Sequence, residues 1–213
     1  MVTQTRVMDE HGFPPGFFDR TDPAPDRLFY EPERLVTHID AGAIAAVGAL
    51  YEELDVTGAV LDLMSSWVSH LPSTPAHLTV LGMNARELAA NQQADALVVH
   101  DLNADPCLPF DAAGFDDVLC CVSVDYLVRP VEVFADAARV LRPGGRFVCT
   151  FSNRLFPTKA IRGWLHASEP ERMEIVVEYF RRAGGWDEPT TELRTPLHHR
   201  GDPLYAVWAG RTG

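Results

Sequence analysis

Short apolar runs alternate with amphipathic segments along most of this chain. Five runs have the length of strands and the near-continuous hydrophobicity of strands that are buried on both faces. They lie at 59–64, 77–83, 96–102, 116–124 and 144–152. Helical periodicity separates several of them, as in ARELAANQ after the second run and PVEVFADAARVL after the fourth. This alternation is typical of βαβ units and predicts a parallel sheet with helices on both faces.

The two ends of the chain predict additions to this sheet. Near the C-terminus, an amphipathic helix in PERMEIVVEYFRRAGG precedes TTELRT and PLYAVWAG, which predict two closing strands. Residues 1–30 are rich in Pro, Gly, Asp and Phe and predict an irregular arm, and a helical pattern begins at Leu35. We expect an α/β protein with a doubly wound, mostly parallel seven-stranded sheet and an N-terminal helical lid. The expected division is an arm and lid helix at 1–50 and one α/β domain at 51–213.

Charge and composition restrict the partners. The chain of 213 residues has a formal net charge of −12, and so acidic a surface repels the phosphates of nucleic acids and anionic lipids. No apolar stretch approaches the ~20 residues of a membrane span, and the first residues lack the features of a signal peptide. Three of the four cysteines lie in apolar runs, as expected of buried thiols in a reducing compartment. We expect a cytoplasmic protein with a small-molecule partner and neither a nucleic-acid nor a membrane partner; no feature indicates its oligomeric state.

Polar side chains follow each of the five predicted parallel strands. In an open parallel sheet the ligand lies beyond the carboxyl ends of the strands, near the point where the strand order reverses. A purely structural sheet has no reason to place Asp, Asn or Ser at every one of these ends, so together they indicate a ligand site. The groups are Asp62 to His70, Gly82 to Asn84, Asp101 to Asn103, Ser123 to Tyr126 and Ser152 to Arg154.

One segment of the chain carries a family resemblance. Residues 108–153 run Leu-Pro-Phe, then Phe-Asp, an apolar strand, a helix ending in Leu-Arg-Pro-Gly-Gly and a further strand. In this order, and over 59–152 more generally, the chain resembles the class I (Rossmann-like) S-adenosylmethionine-dependent methyltransferase superfamily. The resemblance implies a Rossmann-like domain at 51–213 with an antiparallel C-terminal hairpin strand, S-adenosylmethionine as the cofactor and methyl transfer as the reaction.

The first loop departs from the superfamily's pattern. Where the resemblance implies D-x-G-x-G-x-G, the chain reads Asp62-Leu63-Met64-Ser65-Ser66-Trp67-Val68-Ser69-His70, so every expected glycine is replaced. Ser65 and Ser66 are small and can donate hydrogen bonds, and Asp62 can orient water or the ammonium group of the cofactor. With Gly-Met-Asn after the second strand, this loop is similar to that of a subgroup with a Ser-Ser-Trp-x-Ser-His loop.

The resemblance implies a cofactor site at the strand ends. Asn84 takes the place of the acidic residue that binds both ribose hydroxyls and can serve them with an uncharged amide. Asp101 is expected to accept the adenine amino group while the adjacent backbone reads the ring edge, although HDLNADP is also good turn chemistry. The expected cofactor-binding residues are Asp62, Ser65, Ser66, Gly82, Met83, Asn84, Asp101, Leu102 and Ser123.

Candidates for catalysis and acceptor binding come from the arm and from the same strand ends. Arg34 and His38 are four residues apart, on one face of the expected lid helix, where a solvated helix start is the alternative. His70 suits a general base or an ordinary helix start, and the cations Arg154 and Lys159 suit an anionic acceptor group or a solvated loop. The expected catalytic residues are His70, His38 and Arg154, and the expected substrate-binding residues are Tyr30, Arg34, Trp67, Tyr126, Asn153 and Lys159.

Three functions fit this sequence to different degrees. Methyl transfer to a small-molecule acceptor by in-line displacement needs positioning more than acid–base machinery, and so fits a chain without an obvious triad. A catalytically retired module that binds S-adenosylmethionine or a related nucleoside, as a sensor or partner protein, is favoured by the missing glycines and disfavoured by the dense polar set. An NAD(P)-dependent oxidoreductase would need a G-x-G-x-x-G loop, which the chain lacks. We expect no metal site, because His198-His199-Arg200 has no third ligand at metal spacing.

Overall fold

The computed structural model of the protein describes residues 9, 11–196, 198 and 200–213. The strands are β1 Ala59–Leu63, β2 His77–Gly82, β3 Ala96–Val99, β4 Phe115–Cys121, β5 Leu141–Phe151, β6 Thr190–Leu193 and β7 Tyr205–Gly210. The helices are α1 Asp26–Tyr30, α2 Ala41–Glu53, α3 Ala85–Ala90, α4 Pro130–Val140, α5 Arg162–His166 and α6 Glu169–Ala183. Among the described residues, no helix combines the length and the hydrophobicity that crossing a membrane requires.

All seven strands form one sheet in the order β3-β2-β1-β4-β5-β7-β6. The first five strands in this order pair in parallel with one another, whereas β7 pairs antiparallel with both β5 and β6. The predicted fold class is therefore confirmed: a doubly wound, mostly parallel sheet with an antiparallel hairpin at its C-terminal edge. The strand order reverses between β1 and β4, and this reversal marks the ligand position of open α/β sheets.

Both faces of the central strands are buried, as the near-continuous apolar runs predict, whereas the edge strand β3 leaves Leu97 and Val99 47% and 54% exposed. On one face, Val47 and Leu50 of α2 belong to the same buried cluster as Val80 of β2. On the other face, the ring of Phe134 in α4 lies 4.7 Å from the rings of both Phe147 in β5 and Phe180 in α6. Helices on both faces hold the central strands rigidly, so the loops at the strand ends are presented on a fixed frame.

The helix expected from Leu35 begins six residues later, at Ala41. Asp40 is its N-cap, and the Asp40 carboxylate accepts a hydrogen bond from the backbone N–H of Ala43 at 2.9 Å. Residues 31–40 contain no regular structure, so Arg34 and His38 do not share a helix face and that prediction is wrong. The capping aspartate was visible in the sequence, but the apolar periodicity upstream of it was the misleading signal.

The N-terminal arm packs on the domain through aromatic side chains. Phe13 is buried, and its ring lies 5.0 Å from the rings of Phe17 and Phe18 and 5.8 Å from that of Tyr179 in α6. Ring contacts of this kind add stability beyond the area that they bury. The aromatic composition of residues 1–30 thus reflects docking of the arm.

A buried ion-pair network fastens the next part of the arm. The ammonium group of Lys159 lies 3.1 Å from the carboxylate of Asp26 and 3.0 Å from that of Asp22, and it is fully buried. Arg20 donates to both oxygens of Asp26, at 2.7 and 2.8 Å. Burial alone would raise the pKa of Asp26, but hydrogen bonds from Arg20, Asn103 and Lys159 hold it below its usual value. The ammonium group of Lys159, expected to meet substrate, is instead used to hold the arm.

Replacement of Lys159 by Met tests this role. The variant removes the cation beside Asp22 and one of the two cations beside the buried carboxylate of Asp26, and removing one partner of a buried pair costs about 3–5 kcal/mol. We expect a loss of that size in the free energy of unfolding, measured by urea denaturation at pH 7. Arg154→Met is the matched control, since the Arg154 side chain is 64% exposed, and it should change stability by less than about 0.5 kcal/mol. Equal stability of the two variants would contradict the network's role.

Candidate functional site

A cavity of about 580 Å³ opens at the carboxyl ends of the central strands. Its volume is in the range of small-molecule sites, and it lies where the strand order reverses. All but three of the residues proposed from the sequence line it together. These are Tyr30, His38, Asp62, Ser65, Ser66, His70, Gly82, Met83, Asn84, Asp101, Leu102, Ser123, Tyr126, Asn153 and Arg154. The three that do not line it are Arg34, Trp67 and Lys159.

The loop after β1 places a buried carboxyl group at the floor of the cavity. Asp62 is 2% exposed, and the Ser65 hydroxyl donates to its Oδ2 at 2.6 Å. Burial raises the pKa of Asp62 to about 6, while hydrogen bonds from Ser65 and Ser69 oppose the shift. A carboxyl group with a perturbed pKa in a cleft is a candidate functional group.

The same loop contains a left-handed backbone conformation at a residue that is not glycine. Met64, at the first expected glycine, has a φ of +53°, in the left-handed region that favours glycine. The next N–H, of Ser65, donates to the carbonyl of Leu81 at 2.8 Å, so the loop lies against the end of β2. At Gly82 a Cβ would overlap the carbonyl oxygen of Ser65. Glycine is therefore required on β2, where the loop touches it.

The serine after Ser65 points away from the carboxyl of Asp62. The Ser66 hydroxyl donates to Oε2 of Glu87 at 2.7 Å, and Oε1 of Glu87 accepts the backbone N–H of Arg34 at 2.7 Å. Glu87 lines the cavity and is 9% exposed. Our sequence reasoning missed this residue. The signal was present, because a Glu three residues after Asn84 fits a helix-capping pattern.

Asn84 is the N-cap of α3 and uses its whole side-chain amide. Its Oδ1 accepts the N–H groups of Arg86 at 3.0 Å and Glu87 at 3.2 Å. Its Nδ2 donates to the carbonyls of Tyr30 at 3.0 Å and Glu31 at 3.2 Å. An asparagine side chain has two donor hydrogens and two acceptor lone pairs, so all four positions are engaged in holding the helix and the arm.

The ends of β3 and β4 complete the far wall of the cavity. Asp101 accepts the N–H groups of Asn103 at 3.0 Å and Ala104 at 3.2 Å, so it forms the turn that the sequence allowed and also lines the cavity. The hydroxyl of Ser123 donates to the carbonyl of Cys121 at 3.0 Å. Val122, between Cys121 and Ser123, has a φ of +48°, which is unusual for a β-branched residue. Such strain is typical of functional sites.

Histidine and aromatic side chains form the outer part of the cavity. Burial lowers the pKa of both His38 and His70, so both imidazoles are neutral near pH 7 and can accept a proton. The ring of His38 lies 5.3 Å from that of Phe156. Tyr126 accepts the backbone N–H of Phe156 at 2.9 Å, which fixes the loop after β5. No sequence signal distinguished Phe156 from the other loop aromatics.

Arg34 and Arg154, two of the cationic side chains proposed to bind the substrate, differ in how strongly other groups of the protein already bind them. Arg34 donates to the carbonyl of Phe29 at 2.8 Å, and its guanidinium lies 4.7 Å from that ring's centroid, so it stabilises the arm. Arg154 lines the cavity and lies 3.9 Å from Asp202. In His198-His199-Arg200, where we expect no metal site, His199 lies outside the described residues. Groups of His, Cys, Asp and Glu suited to a metal are absent from the described part of the chain.

The side chains that line the cavity fit a cationic nucleoside cofactor such as S-adenosylmethionine. Carboxyl groups of Asp62, Glu87 and Asp101 line one cavity, and they favour a ligand that carries a sulfonium and an ammonium group. Beside them, the apolar side chains of Met64 and Leu102 offer surfaces for a flat ring.

Comparisons with known proteins agree with this fit. Residues 57–149 match the family described as "Methyltransferase domain". The ubiquinone/menaquinone biosynthesis C-methyltransferase UbiE of Brucella anthropi is 30% identical over 106 residues, 46% of this chain and 40% of the relative. That of Bartonella tribocorum is 30% identical over 115 residues, 50% of this chain and 44% of the relative. The chain thus spans less than half the length of these curated relatives.

Solved structures show the same fold at low sequence identity. The 1,6-didemethyltoxoflavin-N1-methyltransferase of Burkholderia thailandensis, solved with 1,6-didemethyltoxoflavin and S-adenosylhomocysteine, has a TM-score of 0.58 and 19% identity. The alignment covers 81% of this chain and 79% of that one. A SAM-dependent methyltransferase of Thermotoga maritima, a possible histamine N-methyltransferase, has a TM-score of 0.56 and 14% identity, with 80% and 88% covered.

Exchange of Met64 tests the backbone strain in the first loop. Glycine normally destabilises relative to alanine through its greater freedom in the unfolded chain. At a positive φ the order reverses, because the left-handed conformation costs a non-glycine residue about 1–2 kcal/mol. We expect Met64→Gly to be more stable than Met64→Ala by about 0.5–1 kcal/mol, measured by urea denaturation. The pair Met83→Gly and Met83→Ala is the control and should show the ordinary order; the same order at both positions would contradict the strain.

Replacement of Asp62 by Asn tests the raised pKa. A carboxyl whose pKa is raised on folding destabilises the fold as it ionises, so this cost is absent below its usual value and complete above about pH 6. Relative to the wild type, Asp62→Asn should gain about 2–3 kcal/mol of stability between pH 4 and pH 7.5, at 1.36 kcal/mol per pKa unit. The measurement is urea denaturation of both proteins at the two pH values. A difference that does not change with pH would refute the shift.

Proposed function

We propose that this chain is an S-adenosylmethionine-dependent methyltransferase and that it transfers the cofactor's methyl group to a small-molecule acceptor held beneath its N-terminal arm. One observation carries the proposal: the cavity at the strand reversal gathers carboxyl groups from the ends of β1 and β3 and from α3. The cavity also extends under residues of the arm, including Tyr30 and His38. We also propose that the chain belongs to the subgroup with a Ser-Ser-Trp-x-Ser-His first loop.

The inner part of the cavity supports the following assignments for the cofactor. Asp101 and the backbone of Leu102 are assigned to the adenine, and Asp62 with Ser65 to the amino-acid portion. When bound, S-adenosylmethionine supplies an electrophilic methyl group on a sulfonium, which a positioned nucleophile can displace. Gly82, Met83 and Ser123 are assigned to the walls around it, since all three line the cavity.

For the ribose hydroxyls we assign Glu87 in preference to Asn84. The Asn84 amide is engaged at all four of its hydrogen-bonding positions, with the helix and with the arm. Glu87 accepts one hydrogen bond at each carboxylate oxygen, and each oxygen retains a further lone pair. A carboxylate is the chemistry that the superfamily resemblance implies for this role, moved three residues along the chain.

The outer part of the cavity is assigned to the acceptor. Tyr30, Tyr126 and Asn153 line it and offer aromatic surface and hydrogen-bonding groups. The lowered pKa of His70 and of His38 leaves each imidazole neutral, so either can take the proton that an O–H or N–H nucleophile loses on methylation. Arg154 is the cation available to an anionic group of the acceptor. In-line alignment then supplies most of the rate enhancement.

A binding module without turnover is the second candidate function. It is favoured by one observation: the amide of Asn84, at the position expected to bind ribose, is occupied by the arm. Such a module would bind the cofactor or a related nucleoside and leave its methyl group in place. Binding and transfer must therefore be measured separately.

Titration calorimetry with S-adenosylmethionine and S-adenosylhomocysteine tests the binding part. We expect saturable binding of both below millimolar concentration. Asp101→Asn keeps an oxygen for the turn but replaces the other carboxylate oxygen with a donor, so it should weaken binding about tenfold or more. Asp111→Ala is the control, because Asp111 is exposed and lies away from the cavity. No heat with either ligand and folded wild-type protein would refute the proposal.

Incubation with methyl-labelled S-adenosylmethionine and a fractionated metabolite extract tests the transfer part. Label in a low-molecular-mass product, with release of S-adenosylhomocysteine, is the expected result and also identifies the acceptor. Binding without any transferred label across the fractions would favour the module that does not turn over.

A further inference from the structure

The side chains that depart from the superfamily's pattern hold one stretch of the arm. We call residues 30–36 the strap. Asn84 donates to the carbonyls of Tyr30 and Glu31 at 3.0 and 3.2 Å. Trp67 donates its indole N–H to the carbonyl of Val36 at 3.1 Å. Glu87 accepts the N–H of Arg34 at 2.7 Å. Two of these three, Trp67 and Asn84, stand where the resemblance implies a glycine loop and a ribose-binding acid.

The chain is attached to the domain on both sides of the strap, whereas the strap itself buries little apolar surface. Before it, Asp26 belongs to the buried network with Lys159. After it, the N–H of Asp40 donates to Asp202 at 3.0 Å, and the N–H of Asp202 donates to Asp40 at 2.8 Å. Within the strap, the apolar side chains of Leu35 and Val36 are 48% and 54% exposed. Polar contacts with the domain, and little apolar burial, therefore hold the strap in place.

The holding side chains are also connected to the cofactor pocket. Glu87 lines the cavity and accepts from Ser66 in the first loop as well as from the strap. Asn84 lines the cavity and caps the helix that carries Glu87. Tyr30 and Val36, the two ends of the strap, line the same cavity. A ligand that fills this cavity thus touches the two ends of the strap, the first loop and two of the three side chains that hold the strap; Trp67 does not line the cavity.

We propose that Trp67, Asn84 and Glu87 form a clasp that closes the strap over the cofactor, so that cofactor binding and strap docking stabilise each other. The coupling rests on the proposed function. It also gives one explanation for both departures from the superfamily's pattern. Trp67 and Asn84 hold the strap, and the strap forms a wall of the cavity over the ligand. By reciprocity, a ligand that needs the closed strap must also protect the strap.

Limited proteolysis and binding of S-adenosylhomocysteine test the coupling in the full chain. Trypsin cleavage after Arg34 reports opening of the strap, and calorimetry reports affinity. In the wild type we expect the ligand to slow cleavage at Arg34. Asn84→Asp keeps the acceptor for α3 but removes both donors to the strap, and Trp67→Phe removes only the indole N–H. We expect each variant to be cleaved several-fold faster and to bind about tenfold more weakly.

Gln93→Glu is the matched control. It makes the same change from amide to carboxylate and removes a donor to a backbone carbonyl, that of Leu71 at 3.2 Å, away from the strap. Its cleavage rate and affinity should stay within twofold of the wild type, and circular dichroism should show all three variants folded.

Three results would overturn the coupling. Faster cleavage with unchanged affinity would show that the ligand does not need the closed strap. Tighter binding by Trp67→Phe would show that the strap competes with the ligand. A ligand that binds the wild type but leaves cleavage at Arg34 unchanged would show that binding and docking are independent. Absence of any binding by the wild type is the distinct result that refutes the proposed function and removes the basis of the coupling with it.

Discussion

The close approach of the first loop to the end of β2 determines the rest of the site. Gly82 has no side chain, so the backbone of Ser65 lies directly against it and donates to Leu81. That contact turns the loop across the sheet edge, which brings Ser65 onto Asp62 and sends Ser66 towards Glu87. The strained φ of Met64 is the cost of making this turn without glycine.

Much of the fold could be predicted from the sequence, because burial on both faces leaves a strong signal in the strands. The five apolar runs correspond to β1–β5, and the two late segments to β6 and β7. Helix boundaries were predicted less accurately, because a single capping residue determines where a helix begins. Asp40 starts α2, yet apolar residues upstream suggested an earlier start. The short helix α1 was not predicted, because five residues are too few to show helical periodicity in the sequence.

The candidate site was predictable in position and less so in detail. Polar residues after each strand converge on one cavity because parallel strands end at the same edge. What each side chain touches depends on the arm, whose path has no sequence signature. Lys159 illustrates the difference: its type suggested an anion site, but only the fold reveals Asp22 and Asp26 beside it. Glu87 illustrates the converse: its place three residues after Asn84 fits a helix-capping pattern, but its carboxylate accepts from Ser66 and Arg34 and lines the cavity.

The weak burial of the strap has a consequence for how this protein can diverge. Exposed residues outside the core tolerate substitution with little loss of stability, and Glu31, Glu33 and Leu35 are all exposed. The backbone contacts that hold the strap do not depend on which side chains it carries. Point changes can therefore accumulate in a short surface segment beside the cavity while the sheet beneath stays the same. The strap is, in this sense, the evolvable part of the protein, and the sheet is its fixed support.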